Sequence, residues 1–190
     1  MRILRGLRIL IPVLLLLAVV AAGAAVLSAR PVIDDARSRA EETWAAVDER
    51  LGPHYRLLET AATRVATVIG PERTLADETR AAIAAWRDAR GGPLADEVGS
   101  ANAVEALGRR LVTAAAASER VQDDREATAA VAAFAEDPTY TAAALTAPVT
   151  AFDRAVDRYE RERTGVIRSP VARVIGAKAI PAFTPVPSPD

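Results

Sequence analysis

Apolar residues follow two patterns along this chain, one unbroken and one periodic. Between Ile9 and Ala29 the run ILIPVLLLLAVVAAGAAVLSA carries no charge. As a helix rising ~1.5 Å per residue, its 21 residues span roughly 30 Å, the thickness of a bilayer's hydrocarbon core. Arg8 and Arg30 bracket the run, where long cationic stems reach the headgroups. The periodic pattern starts at Ile33. Ala36, Ala40, Trp44, Val47, Leu51, Tyr55, Leu58, Ala62, Val65 and Ile69 then recur at steps of three and four, one apolar stripe on a long helix.

Breaker residues divide the rest. Arg30-Pro31 is expected to interrupt the first helix, since the residue before proline avoids the α region. Gly52-Pro53 should kink the second without ending it, because the stripe keeps its phase. Gly70-Pro71 is a stop signal. A helix from about Thr74 to Arg90 follows, facing inward through Leu75, Ala82, Ile83 and Trp86, and Gly91-Gly92-Pro93 ends it. Another begins near Asn102 or slightly earlier, and either continues to Phe134 or breaks near Gln122-Asp123-Asp124. The last is expected from Pro148, as first helical residue, to about Arg163, with Val149, Phe152, Val156 and Tyr159 on one face. Short links between such helices predict an all-α, antiparallel up-and-down bundle with a long first helix. The resulting division is a basic tail over 1–8, a transmembrane helix over 9–29, a helical body over 30–182, and a proline-rich, extended and mobile tail over 183–190.

Charge bears on side and partner. The chain carries 24 basic and 25 acidic residues; Arg2, Arg5 and Arg8 precede the apolar run, leaving 21 against 25 from Arg30 onward. That balance offers no basic face for nucleic acid. The three leading arginines favour a cytoplasmic N-terminus and an extracytoplasmic body, although Arg30, Arg37 and Arg39 nearly balance them. They also suit anionic lipid, so the bilayer is the partner expected of residues 9–29. A cleaved signal peptide is the alternative, with small residues at Ala22-Gly23-Ala24. The apolar run continues five residues past Ala24, which favours the anchor.

The search for chemistry returns little. Cysteine is absent, which excludes disulfides, thiolate metal sites and cysteine nucleophiles. No glycine-rich nucleotide loop, zinc-protease helix or calcium loop occurs. His54 is the single histidine; with no serine near it in sequence, it reads as a surface residue beside a helix break and not as a catalytic base. Adjacent acidic pairs such as Asp34-Asp35 and Asp123-Asp124 diverge by about 100° on a helix and fit dipole or solvent roles. No enzymatic activity, metal or other cofactor is expected. Trp44, Trp86, Tyr55 and Tyr159 read as core residues, with a ligand pocket between helices as the second reading.

The motif order supplies a resemblance. Trp44-x-x-Val47-Asp48-x-x-Leu51, then Tyr55-x-Leu57-Leu58, lies on the long helix; Phe152-Asp153-x-x-Val156-x-x-Tyr159 lies on the last; Pro181-Ala182-Phe183 follows. In this layout the chain resembles the LemA family, over nearly its whole length. It departs from the family pattern at Gly52, Pro53 and His54 and at Asp153 and Glu160. The resemblance implies a long antiparallel helical bundle tethered to a bacterial inner membrane, with no catalytic residues to carry over. The anchor, the amphipathic stripe and the missing catalytic set favour a non-enzymatic structural or protein-interaction module of coiled-coil character, whose bundle surface binds a protein partner at the envelope. A membrane-tethered sensory or ligand-binding domain is the alternative function.

Overall fold

The computed structural model describes the backbone of residues 2–68, 70–165 and 168–187, and their side chains apart from 2–22, Ala25 and Val26. Every regular element among them is a helix: α1 (Arg2–Thr67), α2 (Glu72–Ala89), α3 (Leu94–Ala117), α4 (Glu119–Asp123), α5 (Arg125–Ala135), α6 (Ala142–Thr164) and α7 (Ser169–Val174). The protein is an all-α bundle built around α1, whose 66 residues run for roughly 100 Å.

The expected interruption at Arg30-Pro31 does not occur, and α1 also runs through Gly52-Pro53. Both prolines are exposed, as are Leu27 and Glu49, whose carbonyls lose a helical partner to them. Both prolines thus fall on the exposed side of α1. The opposite side of α1 is buried without interruption through Ala29, Ile33, Ala36, Ala40, Trp44, Val47, Leu51, Tyr55, Leu58, Ala62 and Val65. Packing of that stripe outweighs the local penalty of each proline.

Cross-helix contacts fix the directions. Arg87 pairs with Glu59 and Arg90 with Asp48, so α2 runs antiparallel to α1. The turn between α2 and α3 uses Gly91 at φ 74°, a left-handed conformation that favours glycine. Trp44 bonds Glu97 and Tyr55 bonds Glu105, which sets α3 parallel to α1. Gly108 lets the two helices close up: a Cβ there would lie 3.1 Å from both Leu58 and Phe134. The fourth position of the bundle is shared by two helices in series. Arg64 pairs with Glu126 on α5 and His54 with Asp137 just past its end, while Trp44 meets Phe152 and Asp35 meets Arg158 along α6. Both run antiparallel to α1.

Several boundaries differ from expectation. The stretch after α3 does break, at Ser118 and again at Asp124, whose carboxylate caps α5 by accepting from the backbone N–H of Glu126 and Ala127. The last long helix starts at Ala142, so Pro148 lies inside it and not at its first position. Thr141 accepts from the Ala144 N–H and stabilises this earlier start. A further short helix, α7, buries Val171 and Ala172, and Gly176 at φ 69° turns the chain out of it.

The C-terminal segment is not a free tail up to Pro187. Phe183 is buried against Trp44, and backbone groups of 182–186 bond Asn102 and Glu105 on α3. Aromatic burial outweighs the openness that its prolines suggest. No helix among the described residues is long and apolar enough to cross a membrane. The expected span over 9–29 falls almost wholly on side chains outside the described residues, as do Arg2, Arg5 and Arg8. Arg30 is exposed and pairs with Asp34 at 3.4 Å.

Candidate functional site

Three of the polar residues that the core encloses, His54, Glu105 and Asp137, join Tyr55 and Tyr140 in one connected layer. His54 and Tyr55 are consecutive on α1 and therefore diverge by about 100°. His54 faces the link between α5 and α6, where its Nδ1 lies 2.8 Å from Asp137 Oδ2. Tyr55 faces α3, and its hydroxyl donates to Glu105 Oε1 at 2.9 Å. Tyr140 joins the two halves. Its ring stacks on His54 with centroids 3.7 Å apart, and its hydroxyl donates to the same Glu105 oxygen at 2.7 Å. The other oxygen, Oε2, accepts from the Val186 N–H at 2.7 Å. Phe134 closes the layer, 4.5 Å from the His54 ring.

Burial decides the protonation states. His54 is only 1% exposed, and desolvation pulls its pKa below the ordinary value against the raising effect of Asp137. The ring is therefore neutral near pH 7. Burial pushes Asp137 upward, but the hydroxyl and backbone N–H of Thr139, with His54, outweigh it and hold the carboxyl below its usual range. An ionised Asp137 facing Nδ1 puts the imidazole proton on Nδ1 and leaves Nε2 with a lone pair. That Nε2 is buried and has no hydrogen-bond partner. Glu105 is 5% exposed, and burial raises its pKa to about 7 despite donors from Tyr140, Val186 and Tyr55. The same burial, with Glu105 beside them, pushes both tyrosines above their usual range.

An imidazole oriented by a carboxylate is one half of a general-base arrangement. The other half is missing here, since no hydroxyl is bonded to Nε2. Among the described residues no group of three or more His, Cys, Asp or Glu side chains converges as a metal site.

His54 is thus not the surface residue its sequence setting suggested. Proline and glycine beside it mark the exposed side of a continuous helix, and the histidine sits on the buried side. The residues named from sequence divide clearly. Trp44, Val47, Leu51, Tyr55, Leu58, Phe152, Val156, Tyr159 and Phe183 are buried in one core. Trp44 sits between Phe152 and Phe183, with centroids at 5.0 and 5.2 Å. Pro181 is half-buried, and Asp48 is half-buried and paired with Arg90. Tyr55 alone of the set enters the polar layer. Sequence reasoning missed Glu105, Asp137 and Tyr140. Glu105 offered a signal: it falls one residue after Val104 and four before Arg109, at the edge of an apolar stripe. Asp137 and Tyr140 lie in a link that carries no periodicity.

Fold and site define an all-α helical bundle with a buried polar layer. Comparison with protein-family models, curated proteins and solved structures gives no match.

Proposed function

We propose that this chain is a membrane-anchored, non-enzymatic helical-bundle protein of the bacterial envelope, a structural or protein-interaction module akin to the LemA family. The observation that carries the reading is the continuity of α1. The uncharged run 9–29 and the central helix of the bundle belong to one element, Arg2–Thr67, with no linker between them. A body joined to its anchor through a single stiff helix holds a fixed orientation, which suits presenting a surface to a partner. The short basic segment before the run, with Arg2, Arg5 and Arg8, favours an inside N-terminus.

The test is fractionation of the full chain expressed in bacteria. It should stay in the membrane pellet through a carbonate wash at high pH, with a mass that retains residues 9–29. Protease added to spheroplasts should remove the body. Release by carbonate overturns the anchor; a mature chain lacking the run makes it a signal peptide. Crosslinking in those membranes should capture one specific protein partner, and a body that captures none counts against the interaction role.

A ligand-binding role is the second reading. The buried layer and the cavity of about 180 Å³ beside it favour it.

A further inference from the structure

The C-terminal end of α6 and the short helix after it close the body on the side where the uncharged run of α1 joins it. Arg158 reaches Asp35 at 3.6 Å, and α6 runs antiparallel to α1. At ~1.5 Å per residue, the last turn of α6, residues 161–164, therefore lies level with roughly residues 29–32 of α1. Ala29 agrees. It ends the uncharged run, yet it is only 5% exposed, because the body already covers it. Hydrogen bonds on both sides of α7 keep it at this level. The Ser169 N–H donates to the Gly165 carbonyl at 2.7 Å, and the Tyr159 hydroxyl donates to the Lys178 carbonyl at 2.8 Å.

The surface there is apolar and basic. Val171 and Ala172 of α7 turn inward, while Pro170, Arg173 and Val174 form its exposed outer face. Among the described residues two large apolar side chains stand exposed, Leu27 at 80% and Val174 at 77%. One belongs to the uncharged run and the other to α7, so both fall at the same end of the molecule. The carboxylates of this end, Asp34, Asp35, Glu160 and Glu162, are each paired with an arginine. Arg161 and Arg173 are exposed and pair with no carboxylate among the described residues. The end of the body thus carries unbalanced positive charge.

The next step rests on the anchor reading of residues 9–29. A bilayer has about 5–7 Å of headgroups on each side of its hydrocarbon core. With hydrocarbon ending at Ala29, that layer reaches about four residues further along α1. The last turn of α6 and the helix α7 then lie inside it.

We propose that the corner formed by the end of α6 and by α7 docks in the headgroup layer of the anchoring bilayer and holds anionic phospholipid there. Val174 and Pro170 supply the apolar contact, and Arg161 and Arg173 meet the phosphates. Such a seat limits the tilt of the body on its helix.

The chain has no cysteine, so Leu27→Cys, Val174→Cys and Glu119→Cys each give a full-length protein with one thiol to carry a fluorophore. Each is reconstituted in phosphatidylcholine vesicles holding a small fraction of a lipid with a nitroxide near the top of its acyl chain, either phosphatidylglycerol or phosphatidylcholine. At 174 both lipids should quench, the phosphatidylglycerol about fivefold more strongly, the pull of one arginine on an anionic lipid. At 119, beyond the far end of α3, no quenching is expected. Arg161→Gln with Arg173→Gln should bring the two lipids level at 174. The label at 27 separates two kinds of failure. Quenching at 27 with none at 174 overturns the proposal and leaves the anchor standing. So does an equal effect of the two lipids at 174, a preference that survives the loss of both arginines, or quenching at 119 as strong as at 174. No quenching at either 27 or 174 means that the run 9–29 is outside the bilayer, which overturns the anchor and the docking together.

Discussion

Glu105 shows how one residue's environment sets its chemistry. Three donors reach its carboxylate, an arrangement that favours the charged form, yet burial prevails and raises its pKa to about 7. A group whose folded pKa lies above its unfolded value of about 4.5 stabilises the fold fully below that value. The contribution is lost as pH rises through about 7. Chemical denaturation of the chain from pH 4 to 9 should therefore show a declining component of roughly 3 kcal/mol at most, at 1.36 kcal/mol per pKa unit. Glu105→Gln should remove that component and leave the slopes due to other groups. An unchanged pH profile in the variant would mean that Glu105 keeps an ordinary pKa. His54 is the contrary case, a base held neutral by the same burial.

At the scale of elements, α1 sets tertiary packing against local preference. Pro53 breaks one helical hydrogen bond, but Glu49, whose carbonyl it frees, is an exposed residue and the far side of the helix is buried without interruption. Pro53→Ala should restore the bond and stabilise the protein by roughly 1–3 kcal/mol, seen as a higher melting temperature. Destabilisation would mean that a bend at Pro53 is needed for packing. The cap of α5 is a second case. Asp124 holds two N–H groups at 3.0 and 2.9 Å, so Asp124→Ala should cost about 1 kcal/mol in the same measurement. Exposed ion pairs such as Arg37–Glu41 and Arg39–Asp35 contribute little, on the order of a few tenths of a kcal/mol each.

For the molecule as a whole, alanine-rich helices make a bundle that packs closely and leaves few large side chains to close it. The C-terminal segment supplies one. Phe183 meets the Trp44 ring edge-on, at an interplanar angle of 80°, where the fourth position of the bundle would otherwise be thin. Phe183→Ala should destabilise the protein by about 3 kcal/mol and shift Trp44 emission to the red as water reaches the indole. Fluorescence that stays blue would mean the segment is dispensable to the core. The same segment contacts Asn102 and Glu105, so one stretch of chain closes the core and also bonds the polar layer.

Periodicity made the core legible from the beginning, because a stripe at steps of three and four has only one way to be buried. Trp44, Val47, Leu51, Tyr55, Leu58, Phe152, Val156 and Tyr159 all follow from it. The break expected at Arg30-Pro31 fails because the proline penalty is a local term of a few kcal/mol, and burial of a long face exceeds it. The start of α6 lies earlier than Pro148 because Thr141 caps the helix there. Of the polar layer only Tyr55 was legible as a core position, and the connections between its members were not. Its members, at 54, 55, 105, 137, 140 and 186, come from two helices, a link and the C-terminal segment, and only the folded chain brings them together. The sequence by itself determined which face of each helix turns inward, since that depends on neighbours three and four residues away. Tertiary structure alone decided which buried polar groups meet and what they become when water is excluded, since both depend on distances across the bundle.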